Sequence, residues 1–187
     1  MTLQVFDFID SLIEVPDKVS VVVFLQGCNL SCEYCYNSHL IPIVQLKNNK
    51  LWDFWEYLNS HREYIDAVVF TGGEPLVQWE NLRTVITQIK TVFPEKLIKI
   101  HTNATLLEPI DEIFQYGMID FITFDIKNYM KLPVLFKILE HNPSSWIQYN
   151  FRIPKIPGYY GRVYELLRCV DVPPEKIEIY PLLHVKS

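Results

Sequence analysis

From about residue 18 onward, apolar β-branched runs alternate with segments of helical period, and this alternation is what most narrows the folds open to the chain. Six runs read as strands: 19–26, 66–71, 97–101, 120–126, 146–153 and 176–181. Helix-period segments lie between them, near 49–60, 79–93, 108–116, 131–140 and 160–169. Strands that alternate with helices form a parallel sheet, because each crossover helix returns the chain in the same direction. Six βα units fall short of the eight that close a (β/α) barrel. The expected fold is therefore α/β, an open partial (βα)6 barrel. With 187 residues, 49% of them hydrophobic, and no linker or change of composition along the chain, a single domain over residues 1–187 is expected.

Composition excludes several classes of function. The net charge is −5, and Lys and Arg are scattered rather than clustered, so the basic footprint of a nucleic-acid binder is missing. No apolar run approaches the roughly 18 residues of a membrane span. The start, MTLQVFDFIDSLIEVPDK, lacks the charged and apolar regions of a secretory signal. A cytoplasmic location is expected.

Three of the four cysteines crowd into eight residues, in F-L-Q-G-C-N-L-S-C-E-Y-C-Y-N, directly after the first expected strand. Disulfides are rare in reducing compartments, so Cys28, Cys32 and Cys35 read as metal ligands. Soft thiolates at this spacing suit three corners of an iron–sulfur cluster. Three ligands on a cubane leave one iron open to bind something else, which serves an enzyme better than an electron carrier. The alternative is a zinc site completed by His39, which follows Cys35 at an x3 spacing. Cys169, at the end of an expected helix, reads as a buried structural thiol. Tyr34 is either a core aromatic or an apolar face for a ligand.

Two further motifs carry polar chemistry. Thr71-Gly72-Gly73-Glu74-Pro75 follows the second strand; its glycines permit positive φ and close backbone approach to a ligand, and Glu74 adds a carboxylate able to meet an ammonium. The plain alternative is a tight strand-to-helix turn. Asp125 and Lys127, separated by Ile126, leave the fourth strand on one face and either address one ligand together or form a surface salt bridge. Cys28, Gly72, Thr102, Asp125, Arg152 and His184 all fall at or just after the C-terminal end of an expected strand, the rim on which (β/α) barrels build active sites.

On these motifs the chain resembles the radical S-adenosylmethionine superfamily, whose signature pairs C-x3-C-x-aromatic-C with G-G-E-P on a partial (βα)6 barrel. Within it, the segments S-L-I-E-V-P-D-K-V-S-V-V-V-F-L-Q-G-C-N-L-S-C-E-Y-C-Y-N, V-V-F-T-G-G-E-P-L-V-Q, H-T-N, F-I-T-F-D-I-K and N-F-R are similar to the activating enzymes of glycyl-radical proteins. Those for anaerobic ribonucleoside-triphosphate reductase and for pyruvate formate-lyase resemble it in particular. The resemblance implies a 4Fe–4S cluster on Cys28, Cys32 and Cys35, with S-adenosyl-L-methionine as second cofactor. It implies that Gly72, Gly73 and Glu74 cradle the methionine ammonium and that Tyr34 adjoins the adenine. It further implies that Lys127 helps hold the carboxylate with Asp125 nearby and that Arg152 and His184 line the nucleoside end. Thr102 and Asn103 join the same cofactor-binding set. The implied partners are a glycyl-radical enzyme, such as anaerobic ribonucleotide reductase, and a low-potential electron donor such as flavodoxin or ferredoxin. Other readings are a radical enzyme acting on a small molecule, such as a deazapurine ring-contracting enzyme, and a noncatalytic metal-binding module. Where family members read D-T-N-G this chain has His101-Thr102-Asn103-Ala104, so no cation site is carried over. The L-P-Y-H pattern is stretched by one residue in Tyr180-Pro181-Leu182-Leu183-His184.

Overall fold

The computed structural model describes residues 2–141 and 146–181. A seven-stranded sheet runs in chain order: β1 (Val5–Ser11), β2 (Ser20–Leu25), β3 (Ala67–Gly72), β4 (Leu97–Thr102), β5 (Phe121–Asp125), β6 (Gln148–Pro154) and β7 (Ile177–Tyr180). From β2 to β7 every neighbouring pair is parallel. Helices α1 (Leu51–Ser60), α2 (Trp79–Val92), α3 (Leu107–Tyr116), α4 (Leu132–His141) and α5 (Tyr160–Cys169) fall in the successive connections from β2 onward.

The six expected strands and five expected helices are present, each within three residues of its expected bounds. The seventh strand, β1, is a correction. It pairs antiparallel with β2, with a register shift between Val5 and Asp7. Asp7 and Asp10 break the apolar run V-F-D-F-I-D, and partners distant in sequence compensate them: Lys50 Nζ donates to Asp7 at 2.7 Å and Tyr57 OH to Asp10 at 2.7 Å. Cys169 also departs from expectation, because it is exposed. Val163 and Leu167 are the buried residues of α5, and two residues beyond Leu167 is a rotation of about 200° around a helix.

Strand alternation divides the sheet into two unlike faces. One carries Val21, Val23 and Leu25 of β2, Val68 and Phe70 of β3, Ile98 and Ile100 of β4, Ile122 and Phe124 of β5, and Phe151 and Ile153 of β6. These join Phe54 and Leu58 of α1, Leu82, Ile86 and Ile89 of α2, Ile110 and Ile113 of α3, and Val163 and Leu167 of α5 in the main core. Each such side chain contributes about 1.5–3 kcal/mol on burial. The other face begins apolar, with Val22, Ala67 and Val69 against Val15 and the flanking Phe24, Leu97 and Phe121. Continuing by twos toward the strand C-termini, it turns polar: Thr71 on β3, His101 on β4, Asp125 on β5 and, in register with Asp125, Arg152 on β6.

Phe70 is fully buried at the centre of this arrangement, its ring edge-on to Phe54 with centroids 6.5 Å apart. Phe70→Ala is expected to lower the unfolding free energy in urea by about 3–5 kcal/mol. A loss below about 1 kcal/mol would contradict the assignment of this face as the main core.

Candidate active site

The C-terminal ends of β2 to β7 surround a pocket of about 490 Å³. The loop after β2 supplies Cys28, Cys32, Tyr34 and Cys35; the last residue of β3 and the turn after it supply Gly72, Gly73 and Glu74. His101, Thr102 and Asn103 enter from β4, Asp125 and Lys127 from β5, Arg152 from β6 and Tyr180 from β7. Every site residue expected from sequence thus lines this one pocket, apart from His184, which lies outside the described residues.

Backbone bonds shape the cysteine loop. Gly27 N donates to Leu40 O at 2.7 Å, Cys28 N to Ile41 O at 3.0 Å and Cys35 N to Cys32 O at 3.0 Å. All three thiols are free and half-buried. Burial pushes the Cys28 thiol up, partly opposed by a bond from Leu30 N, while Glu74, Cys32 and Cys35 add to the rise. Among the described residues no three His, Cys, Asp or Glu side chains stand close enough to share one metal ion. A cubane does not require that, since each thiolate binds a different iron. His39, the zinc alternative's fourth ligand, is exposed; its ring lies 5.1 Å from that of Phe6, away from the pocket lining.

The glycines at the end of β3 have a role that sequence reasoning assigned to a ligand. A Cβ on Gly72, at φ +114°, would lie 2.3 Å from Leu25 N. One on Gly73 would lie 2.1 Å from Gly27 O and 3.1 Å from Leu40 O. The close approach they permit is to the chain's own cysteine loop, along a seam where Gly73 N donates to Leu25 O at 2.9 Å and Glu74 N to Gly27 O at 2.8 Å.

Glu74 is buried and engaged by protein donors. Its Oε1 accepts Thr102 Oγ1 at 2.8 Å and Leu76 N at 3.1 Å, and its Oε2 accepts Asn103 N at 2.6 Å. Burial nevertheless pushes this carboxyl up to about 7, against those bonds. A carboxylate oxygen accepts about two hydrogen bonds, so capacity remains on Oε2 for a cation.

At the far wall Lys127 Nζ donates to Tyr180 OH, stands 3.6 Å from Asp125 Oδ2, and lies 5.5 Å from the centre of the Tyr34 ring. Burial pushes the phenols of Tyr34 and Tyr180 up. Arg152 lies over the Tyr180 ring at 4.9 Å, its Nε 3.3 Å from Glu178 Oε2 but without the direction of a hydrogen bond. Asp125 Oδ1 and Arg152 Nε are buried in the pocket lining with no hydrogen-bond partner among the protein atoms. Buried polar groups are ordinarily hydrogen-bonded, so this acceptor and this donor, in register on neighbouring strands, leave capacity for a polar ligand.

Tyr180 lines the pocket without having been expected there, and Asn29, Thr105 and Glu14, outside the lining, contact residues that do line it. Tyr180 sits at the end of an expected strand, where the rim rule points to it. Asn29 and Thr105 give no motif signal of their own. Glu14, in the loop after β1, folds back so that its Oε2 lies 3.0 Å from His101 Nε2 and 3.6 Å from Lys99 Nζ. His101 beside it, with the charges of Lys99 and Arg152, holds its carboxyl down at about 2 despite burial.

Comparison with known proteins gives the chain a family. Residues 18–128, more than half of the chain, match the family described as 4Fe-4S single cluster domain. The chain belongs to that family. It is 34% identical over 119 residues to a Methanocaldococcus jannaschii protein named as a candidate glycyl-radical enzyme activating enzyme, covering 63% of this chain and 47% of that one. It is 32% identical over 119 residues to the anaerobic ribonucleoside-triphosphate reductase-activating protein of Enterobacteria phage T4, covering 60% of this chain and 73% of that one. The chain therefore spans about half the length of the first of these relatives. Among solved structures, anSMEcpe with bound AdoMet superposes with a TM-score of 0.61 at 14% identity, over 84% of this chain and 49% of that one, a likeness of fold. The radical S-adenosylmethionine resemblance drawn from the motifs is borne out at the level of family.

Two outcomes test this geometry. Gly73→Ala is expected to lower iron and sulfide content and S-adenosylmethionine affinity together, because the methyl group strikes the backbone that shapes the cysteine loop; a variant retaining full iron content would contradict the seam. Glu74 holds its proton more tightly folded than unfolded, so it costs stability progressively as pH rises from about 4.5 through about 7. Glu14 has the opposite sign, its stabilisation complete above about 4.5 and lost as pH falls toward about 2. The unfolding free energy of the cofactor-free chain is expected to fall by about 2 kcal/mol between pH 5 and pH 8. Glu74→Gln should flatten that slope, and an unchanged slope would contradict the buried-carboxyl account.

Proposed function

We propose that this chain is a glycyl-radical activase: it cleaves S-adenosylmethionine reductively and abstracts hydrogen from a backbone glycine of a partner, anaerobic ribonucleoside-triphosphate reductase being the favoured class. The observation that carries the reading is one pocket with three half-buried thiols on one wall and an open buried acceptor–donor pair, Asp125 Oδ1 and Arg152 Nε, on another. The similarity to the phage T4 activating protein supports the choice of partner.

In this reading Cys28, Cys32 and Cys35 hold a 4Fe–4S cluster, and a flavodoxin or ferredoxin supplies the electron. When bound, the cluster and S-adenosylmethionine supply a low-potential electron and a 5′-deoxyadenosyl group released as a radical. The residues of the chain bind and orient. The Gly72–Gly73 backbone and the remaining capacity of Glu74 Oε2 meet the methionine ammonium, and Lys127 meets its carboxylate. Tyr34 offers an apolar face to the adenine, and Thr102 and Asn103 line the same pocket. Asp125 and Arg152 complete their hydrogen bonding on the polar parts of what enters. Replacing water at these groups by the cofactor also shields a reactive carbon radical from side reactions.

The test mixes the reduced, reconstituted chain anaerobically with S-adenosylmethionine and the glycyl-radical reductase of the same genome. A protein-centred glycyl doublet by electron paramagnetic resonance is expected, abolished when the reductase's acceptor glycine is replaced by alanine. No doublet, together with strong acceleration of 5′-deoxyadenosine release by a small metabolite, would assign the chain to small-molecule radical chemistry instead.

A further inference from the structure

Beside the thiols, three side chains from two loops close a ring. Asn29, the residue after Cys28, donates through Nδ2 to Thr105 Oγ1 at 2.8 Å. Thr105 Oγ1 donates to Asn103 Oδ1 at 2.5 Å, and Asn103 Nδ2 donates back to Asn29 Oδ1 at 2.9 Å. Each side chain gives one hydrogen bond and accepts one, so donors and acceptors match around the circuit, an arrangement in which each bond polarises the next. Thr105 N reinforces it with a bond to Asn103 Oδ1 at 3.0 Å.

The ring fixes a turn that the backbone alone disfavours. Ala104, between Asn103 and Thr105, is buried at φ +59°, in the left-handed region that non-glycine residues seldom enter. That turn also carries Asn103 N and Thr102 Oγ1, the two donors it sends to Glu74. Through Asn29 the same turn is tied to the loop of Cys28. The cysteine loop, the Glu74 turn and the β4 turn are thereby joined by side chains that need no metal to hold them.

We propose that Asn29 is a positioning residue: through the ring with Asn103 and Thr105 it sets the distance between the Cys28 corner of the cluster and the pocket wall that receives the second cofactor. The inference rests on the S-adenosylmethionine reading above and adds to it which residues fix the spacing between the two cofactors. Asn29 touches no reacting atom in this role. Loss of any one member opens the whole circuit, so the three act as a unit.

Anaerobically reconstituted parent, Asn29→Ala, Thr105→Val, the double variant and Thr105→Ser decide it. Iron and sulfide content should equal the parent's in all. S-adenosylmethionine affinity, by calorimetry, should fall about tenfold in each of the first two and no further in the double, while Thr105→Ser, which keeps the hydroxyl, should bind like the parent. The reduced cluster's paramagnetic resonance spectrum should match the parent's without S-adenosylmethionine, with the change on adding it diminished in Asn29→Ala and Thr105→Val. Unchanged affinity in both single variants, or additive losses in the double, overturns the inference. Lost cluster content in Thr105→Val also overturns it, by showing that the ring is needed to fold the cysteine loop rather than to set the spacing. A parent that holds a cluster but binds no S-adenosylmethionine overturns the functional reading first, and this inference with it.

Discussion

The pocket depends on a place where two stretches of backbone come too close for any side chain. Gly73 packs against Gly27 and Leu40 so tightly that a single Cβ would sit 2.1 Å from a carbonyl oxygen. Two hydrogen bonds run along the contact, from Gly73 N to Leu25 O and from Glu74 N to Gly27 O. Their effect is to weld the loop that carries the cysteines to the turn that carries the buried carboxylate. The sheet sets this up, since β2 and β3 are parallel and in register as far as Leu25 opposite Gly72, so both chains leave the sheet side by side. The core behind them, a continuous apolar face under the helices, makes that exit rigid.

From this seam the electrostatics follow. Glu74 is carried inward until it is almost wholly buried, and only donors from its own turn and from β4 offset the desolvation. A carboxyl left near neutrality by burial gains most from a cation arriving at its remaining lone pair. The opposite wall has a complementary problem. Asp125 Oδ1 has no hydrogen-bond partner among the protein atoms, its other oxygen facing Lys127, and Arg152 Nε has only the Glu178 carboxylate, 3.3 Å away and out of hydrogen-bond direction. A zwitterionic ligand bearing hydroxyl groups would satisfy both walls at once, which is why the site fits S-adenosylmethionine chemically as well as by family.

Much of this was legible in the sequence. The alternation of strand and helix patterns survives because each β-branched run is buried on at least one face, and the rim rule then gathers Cys28, Gly72, Thr102, Asp125 and Arg152 at one mouth. What was not legible depends on distant partners. β1 is interrupted by Asp7 and Asp10, whose compensation by Lys50 and Tyr57 lies more than 40 residues away. Glu14 is drawn over the polar face by His101 and Lys99, a contact between residues over 80 apart that no local pattern announces. Cys169 was misplaced because a helix pattern fixes period but leaves the phase of a terminal residue open. The two glycines were read as a point of close approach to a ligand, whereas the neighbour they admit is the chain's own backbone, a distinction sequence does not carry.

The central claim is that this fold brings three thiolates and a polar cofactor cradle into one pocket, so that a cluster held by the first is addressed by what binds in the second. The most direct measurement is the paramagnetic resonance spectrum of the reduced, reconstituted chain before and after S-adenosylmethionine is added, alongside iron and sulfide analysis. The account requires a 4Fe–4S signal whose shape changes on addition, and release of 5′-deoxyadenosine. A chain that takes up zinc in place of iron and sulfide, or a cluster signal indifferent to S-adenosylmethionine at saturating concentration, would contradict it.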